Sequence, residues 1–131
     1  MKPRLSLITL GVTDLERATA FYHDGLGFPT RGNFDDVTFF VLEGVQLSLF
    51  QRDALAADAG VSSTGSGFAG ITLAQNVESE AEVRDVLNQA ERAGAKIVVQ
   101  PQKAEWGGYH GYFTDPDGHL WEVAYPMLGT S

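Results

Sequence analysis

A single carboxylate, Glu122, stands among apolar residues in the segment 120–125, directly after the turn sequence Asp115-Pro-Asp-Gly118. If this segment is a strand, side-chain alternation places Glu122 on the face opposite to Trp121. A carboxylate on a half-buried strand is costly unless it meets a cation, a hydrogen-bond donor or a ligand. Glu122 could therefore bind a ligand or act as a general base.

A stretch rich in glycine and aromatic residues, from Trp106 to Tyr112, precedes this turn. Its glycines let the backbone approach a bound molecule closely, and its rings offer flat surfaces with polar groups. The alternative is that the rings pack at the rim of a sheet and the glycines set a bulge. His110 has the strongest functional claim of the three histidines, because His23 falls near a helix end and His119 is out of phase with Glu122.

The composition limits the classes of function. The chain has 131 residues, of which 44% are hydrophobic, and it contains no cysteine. It therefore has no thiolate nucleophile or thiolate metal site. A net charge of −8 disfavours nucleic acid and mildly favours a cationic small molecule. We find no apolar run long enough to span a membrane and no secretory leader, so we expect a cytoplasmic protein that binds neither nucleic acid nor membrane.

The first part of the chain predicts a strand, a helix and two further strands. A short apolar run at 5–10 indicates the first strand. A Thr-x-x-Glu capping box at Thr13 then opens a helix that ends at Gly25. The runs 34–42 and 45–51 predict a hairpin.

The second part repeats this pattern. A second capping box at Ser79 opens a helix that ends at Gly94. The strands predicted in this part are 69–75, 96–99, 111–114 and 119–125.

The two copies define the expected domain organisation: one domain over 1–131, with a first module at 5–52, a linker at 53–67 and a second module at 68–127. The linker is rich in Ala, Ser and Gly. A module of about 60 residues buries too little surface to be stable alone. We therefore expect the modules to pack on each other or on a partner chain, around a shared cleft that is the natural ligand site.

Two motifs resemble the vicinal oxygen chelate superfamily, which includes glyoxalase I, bleomycin-resistance proteins and extradiol dioxygenases. They are Val12-x-Asp14-Leu15-x-x-Ala18-x-x-Phe21-Tyr22-x-x-x-Leu26-Gly27-Phe28 and Gly111-Tyr112-Phe113-x-Asp115-Pro116-Asp117-Gly118-x-x-x-Glu122. The resemblance covers residues 5–126. It implies an α+β fold of two βαβββ modules forming an incomplete eight-stranded barrel around a cleft, the glyoxalase/bleomycin-resistance fold. It also implies a homodimer.

Metal enzymes of this superfamily take ligands from four strand positions, which the resemblance places at Leu7, Ser48, Gly70 and Glu122. Leu7 and Gly70 have no side-chain donor, and Ser48 is a poor one. Glu122 alone matches the ligand type of the family. Because a catalytic divalent cation needs about three protein ligands, we expect no metal and no other cofactor.

The main hypothesis is a metal-free protein of the bleomycin-resistance type that binds a small cationic or aromatic molecule. The residues expected to line its cleft are Leu7, Thr9, Ser48, Phe50, Trp106, Tyr109, His110, Tyr112 and Glu122. One alternative is a lyase or isomerase of the glyoxalase type with Glu122 as general base, and another is a dioxygenase-like enzyme, which needs iron. The fold could also be inherited without the function, with Glu122 bound to a buried donor such as a tyrosine or Thr9.

We predict that the purified protein carries no tightly bound transition metal, because three of the four expected ligand positions lack a suitable donor. Elemental analysis of protein purified without an affinity tag checks this. Stoichiometric zinc, nickel, iron or manganese would contradict the prediction and the motif register behind it.

Overall fold

The computed structural model describes residues 1–34 and 36–126, and the chain divides into two compact units, Met1–Gly67 and Phe68–Ser131. Each unit holds one four-stranded mixed sheet. The described strands thus form two separate sheets and no closed barrel. Residue 127, the expected end of the second module, lies outside the described residues. None of the helices in the described ranges is long and apolar enough to cross a membrane.

The first unit contains four strands and two helices. Its elements are β1 (Leu7–Val12), α1 (Leu15–Ala20) continued by a π-helical turn (Phe21–Gly25), β2 (Thr30–Phe34), β3 (Val37–Phe40), β4 (Gln46–Gln51) and α2 (Arg52–Ala59). The strand order is β1-β4-β3-β2, with β1 parallel to β4 and the other pairs antiparallel. α1 packs against β3 and β4, where Phe40 and Leu49 are buried.

Three details of the first unit differ from the sequence prediction. α1 is capped by Asp14 rather than Thr13, because the Asp14 carboxylate accepts a hydrogen bond from the Arg17 amide at 3.0 Å. The run 34–42 contains the short strand β3 and the last residue of β2. The rest of β2 was missed because its sequence lacks apolar alternation and its register shifts near Gly32. Asp35, inside that run, lies outside the described residues.

A helix, α2, occupies the first part of the segment expected to be a linker. Its alanine-rich sequence has high helix propensity, which outweighs the loop-like composition. The Gln51 side chain accepts a hydrogen bond from the Ala54 amide at 2.9 Å and caps the helix, and Gly60 ends it in the left-handed conformation. α2 contacts β1 at Gly11, next to Leu55.

The second unit repeats the order of strands and helix. Its elements are β5 (Leu73–Asn76), α3 (Glu80–Ala93), β6 (Lys96–Lys103), β7 (Tyr109–Thr114) and β8 (Leu120–Tyr125). The strand order β5-β8-β7-β6 matches that of the first sheet, again with the first pair parallel. The repeat predicted from the sequence is thus confirmed at the level of topology. The cap at Ser79 is confirmed as well, since its hydroxyl accepts from the Glu82 amide at 3.0 Å.

Strand lengths in the second unit depart from the predictions. The first strand begins at Leu73 rather than at 69, and Phe68 and Ile71 before it are exposed. β6 runs on to Lys103. β7 begins at Tyr109, so half of the glycine-aromatic stretch is strand rather than loop.

The turn between β7 and β8 fixes how these two strands pair. The Gly118 amide donates to the Asp115 carbonyl at 3.0 Å, as expected for a β-turn. The Asp115 carboxylate also accepts from the amides of Asp117 and His119, at 2.9 and 2.8 Å. The strands then pair with Tyr112 opposite Glu122 and His110 opposite Ala124.

α3 covers one face of the second sheet and touches it closely at Gly111. A methyl group built on Gly111 would lie 2.3 Å from Leu87 Cδ1 and 2.8 Å from the Val99 carbonyl oxygen. Phe113, Trp121 and Val123 are buried. A residue with a side chain at 111 would push α3 and β6 away from β7.

We therefore predict that Gly111→Ala lowers the free energy of unfolding by about 1–3 kcal/mol, because the Val99 backbone cannot move as freely as a side chain. Gly11→Ala is the matched control: its methyl group meets nothing closer than 3.5 Å. The control should change stability by less than about 0.5 kcal/mol. Urea denaturation measures both, and equal losses would contradict the close packing at Gly111.

Candidate functional site

Three polar side chains share the face of the second sheet that α3 does not cover. Gly111 faces α3, so its neighbours His110 and Tyr112 on β7 face the other way. Glu122 lies directly opposite Tyr112 on β8 and therefore shares their face. We call this surface the Glu122 face.

Glu122 meets a hydrogen-bond donor on this face. The His110 Nδ1 atom lies 2.6 Å from Glu122 Oε2, with the two side chains 15% and 19% exposed. Tyr112 lies directly opposite Glu122 in the strand pair, near enough for the carboxylate to act on its phenol electrostatically. The carboxylate therefore has a donor within its own hairpin, and that donor is His110.

Burial raises the pKa of the Tyr112 phenol above its ordinary value, and the charge of Glu122 raises it further. Both effects disfavour a phenolate beside a carboxylate. The Tyr112 phenol is therefore neutral at physiological pH.

Trp106 forms an aromatic wall next to His110. Its ring centroid lies 5.6 Å from that of His110, edge to face, and its side chain remains 54% exposed. The ring sits on Gly108, where a methyl group would lie 2.0 Å from a ring carbon. The glycine is thus what lets the indole lie flat against the backbone. The His110 ring also contacts Tyr112, with the two ring centroids 5.5 Å apart.

Tyr109, predicted to line the same cleft, is not brought together with Glu122. Its ring lies on the opposite side of the sheet, toward α3. There its hydroxyl accepts from Arg84 Nη1 at 3.2 Å, and the guanidinium carbon is 5.7 Å from the ring centroid. Strand alternation explains this: three positions separate Tyr109 from Tyr112, so they face opposite ways.

The residues predicted from the first half lie in the first unit. By the pairing of β1 with β4, Thr9 stands beside Ser48, and their hydroxyl oxygens are 2.7 Å apart. Leu7 and Phe50 share the same face of that sheet by alternation. Ser48 is only 1% exposed. The partner of Thr9 is therefore Ser48, not Glu122.

The other two histidines make hydrogen bonds to residues close to them in the sequence. The Nδ1 atom of His23 is 2.7 Å from the carbonyl oxygen of Phe28 and donates to it, just after the π-helical turn. His119 belongs to the turn, where its amide donates to Asp115.

The family positions for a metal do not fit one in this chain. The Ser48 hydroxyl is buried and hydrogen-bonded to Thr9, and Gly70 and Leu7 offer no donor atom. Glu122 already accepts a hydrogen bond from His110. Across residues 1–34 and 36–126, no group of three or more His, Cys, Asp or Glu side chains could hold a metal ion.

The sequence singled out His110, Tyr112 and Glu122 separately but did not predict that they form one cluster, with His110 hydrogen-bonded to Glu122 and in ring contact with Tyr112. A signal was available. In a tight hairpin, residues equidistant from the turn face each other, which pairs Tyr112 with Glu122 and sets His110 diagonally beside it.

Comparison with known proteins identifies the fold independently. A model of the family described as the glyoxalase/bleomycin resistance protein/dioxygenase superfamily matches residues 4–123. A glyoxalase-related enzyme from Fulvimarina pelagi is 32% identical, with a TM-score of 0.87 over 95% of this chain and 88% of that one. An uncharacterized protein of Bacillus subtilis (strain 168), YraH, is 28% identical over 95% of this chain and 99% of its own length.

A more distant structure shares the fold. Lactoylglutathione lyase from Agrobacterium tumefaciens is 21% identical, with a TM-score of 0.72 over 98% of each chain. At that identity the likeness concerns the architecture alone.

We predict that the free energy of unfolding falls as pH rises above about 10, the ordinary phenol range, and that Tyr112→Phe weakens this dependence. The native state holds the Tyr112 proton at a pH where the unfolded chain has released it, so stability declines through that window. Tyr125→Phe is the control and should keep the wild-type slope. Denaturant titrations from pH 8 to 11 measure it, and identical slopes for wild type and Tyr112→Phe would refute the prediction.

Proposed function

Because the chain belongs to the glyoxalase/bleomycin resistance protein/dioxygenase superfamily, we propose that it binds a small planar molecule, cationic or aromatic, on the Glu122 face, without a transition metal. The observation that carries the proposal is the carboxylate of Glu122, held by His110 beside the exposed ring of Trp106.

The exposed indole supports a flat ligand. Tryptophan is the side chain with the largest apolar surface, and exposing it usually marks a contact site. Here the ring is held in place by Gly108 and by the edge of His110. A planar molecule could stack on it without any rearrangement of the backbone.

Charge supports a cationic ligand. The chain carries a net charge of −8, and Glu122 places a carboxylate close to the aromatic wall. Aromatic faces and carboxylates both attract cations, and an overall negative field raises the rate of their encounter.

The experiment compares two probes of one shape and different charge, 1-methylquinolinium and quinoline, by calorimetric titration at pH 7.5. We expect the cation to bind more tightly. Trp106→Ala should weaken its binding by about fivefold, which corresponds to about 1 kcal/mol of cation–π interaction. Phe68→Ala, which removes another exposed ring of the same unit, is the control and should leave affinity unchanged.

Failure of the wild-type protein to bind either probe at millimolar concentration would count against the proposal. So would equal losses of affinity in Trp106→Ala and Phe68→Ala, which would indicate nonspecific adsorption to exposed rings.

Glu122→Gln tests the carboxylate itself. Glutamine keeps the shape and part of the hydrogen bonding but removes the charge. We expect 1-methylquinolinium affinity to fall more than tenfold while the free energy of unfolding drops by less than about 1 kcal/mol. Unchanged affinity together with a loss of about 3 kcal/mol would instead assign Glu122 to the stability of the hairpin.

A lyase or isomerase of the glyoxalase type is the second candidate. The observation that favours it is the 2.6 Å contact between His110 and Glu122, because a paired imidazole and carboxylate can move a proton. The dioxygenase alternative needs iron, for which the donors at the family positions do not fit.

We also propose a homodimer, the assembly implied by the family resemblance. The exposed apolar side chain of Ile71 supports it, since exposed apolar surface can mark a subunit contact. Light scattering at micromolar concentration should give twice the 14.2 kDa mass of one chain. A mass of one chain would reject the proposal.

A further inference from the structure

We propose that His110 and Glu122 form a general-base dyad, in which the Nε2 atom of His110 takes a proton from a ligand stacked on Trp106 and Glu122 positions the imidazole. The proposal rests on the proposed function, because it needs a planar ligand on the Glu122 face. It differs from the glyoxalase-type alternative, in which Glu122 itself is the base.

The contact between the two side chains fixes the tautomer of His110. Its Nδ1 atom lies 2.6 Å from Glu122 Oε2, the distance of a charge-assisted hydrogen bond. An ionised carboxylate can only accept a hydrogen bond, so Nδ1 is the donor in this contact. With its hydrogen on Nδ1, neutral His110 presents the lone pair of Nε2.

That lone pair has no hydrogen-bond acceptor or donor opposite it among the described residues. Its ring contacts the Glu122 carboxylate and the rings of Trp106 and Tyr112. Its cross-strand neighbour on β6 is Gln102, which carries no charge. The titratable groups facing His110 are therefore Glu122 from β8 and Tyr112 from β7.

Glu122 is less suited to act as the base. Its carboxylate already accepts a hydrogen bond from His110, and the Tyr112 phenol lies beside it. When Nε2 takes a proton, the resulting imidazolium lies against that carboxylate, which stabilises the new charge. The arrangement follows the logic of other imidazole–carboxylate pairs, where the carboxylate orients the ring and remains ionised.

The probe is 5-nitrobenzisoxazole, a neutral planar molecule that reacts with a base and needs no metal, oxidant or second substrate. The proton on C3 passes to Nε2, and the C–H electron pair forms the third bond of a nitrile. The N–O bond breaks, and its electron pair leaves on oxygen as a phenolate. His110 then releases the proton to water, and the coloured phenolate reports the rate.

We expect turnover above the buffer rate, unchanged by EDTA, and a loss of at least about 100-fold in His110→Gln. His23→Gln, which changes an exposed histidine of the first unit, should keep the wild-type rate. The pH profile of the wild-type protein is a second test that does not depend on the folding of a variant. The rate should rise with pH through one ionisation and then level off.

Glu122→Gln tests the positioning role. It should lower kcat while leaving the affinity for the unreactive analogue 5-nitroindazole unchanged, because glutamine is a weaker acceptor and orients the imidazole less firmly. A residue that only stabilised the fold would lower turnover and analogue binding together.

Binding is measured separately with 5-nitroindazole, an unreactive planar analogue. Four results would overturn the dyad and leave the proposed function standing. They are analogue binding without turnover, turnover that survives His110→Gln, turnover lost with EDTA, and a rate that rises only in proportion to hydroxide concentration. Absence of binding by 5-nitroindazole, 1-methylquinolinium and quinoline alike would overturn both.

Discussion

The carboxylate of Glu122 is the constraint that arranges the polar face of the second sheet. A carboxylate this close to buried residues must be given a donor, and that donor, His110, comes from the adjacent strand β7. The same strand turns Gly111 toward α3, which can close on the sheet because that position has no side chain. One strand thus supplies the polar partners on one face and the contact for the helix on the other.

Much of the fold could be predicted because its signals are local. Ser79 caps α3 and Gly94 ends it, and the Asp115 turn opens β8, each through contacts within a few residues. The two failures have different causes. β2 has no apolar alternation and is held by its pairing with β3, which is a tertiary effect. α2 forms because the local helix propensity of its alanines outweighs a composition typical of linkers.

The sequence predicted which residues belong to the site but not which of their side chains meet. The isolated carboxylate, the histidine between aromatics and the glycine-rich stretch were all visible in the sequence. Which side chains meet depends on where β7 begins, since that sets the phase of its alternation. Treating 106–112 as one loop grouped Tyr109 with Tyr112, whereas the strand sends Tyr109 to Arg84 on the opposite face.

The turn at Asp115 also governs which mutations this hairpin can survive. Its carboxylate accepts hydrogen bonds from the amides of Asp117 and His119 at once. Those two bonds can both form only at the present loop length. One inserted residue that slipped β8 by one position would carry Glu122 against α3 and bring Trp121 to the open side. Loss of the polar group and loss of the core would then occur in a single genetic event. Substitutions can therefore change the surface chemistry of this hairpin one position at a time. A change in its length would disrupt the polar cluster and the packing against α3 together.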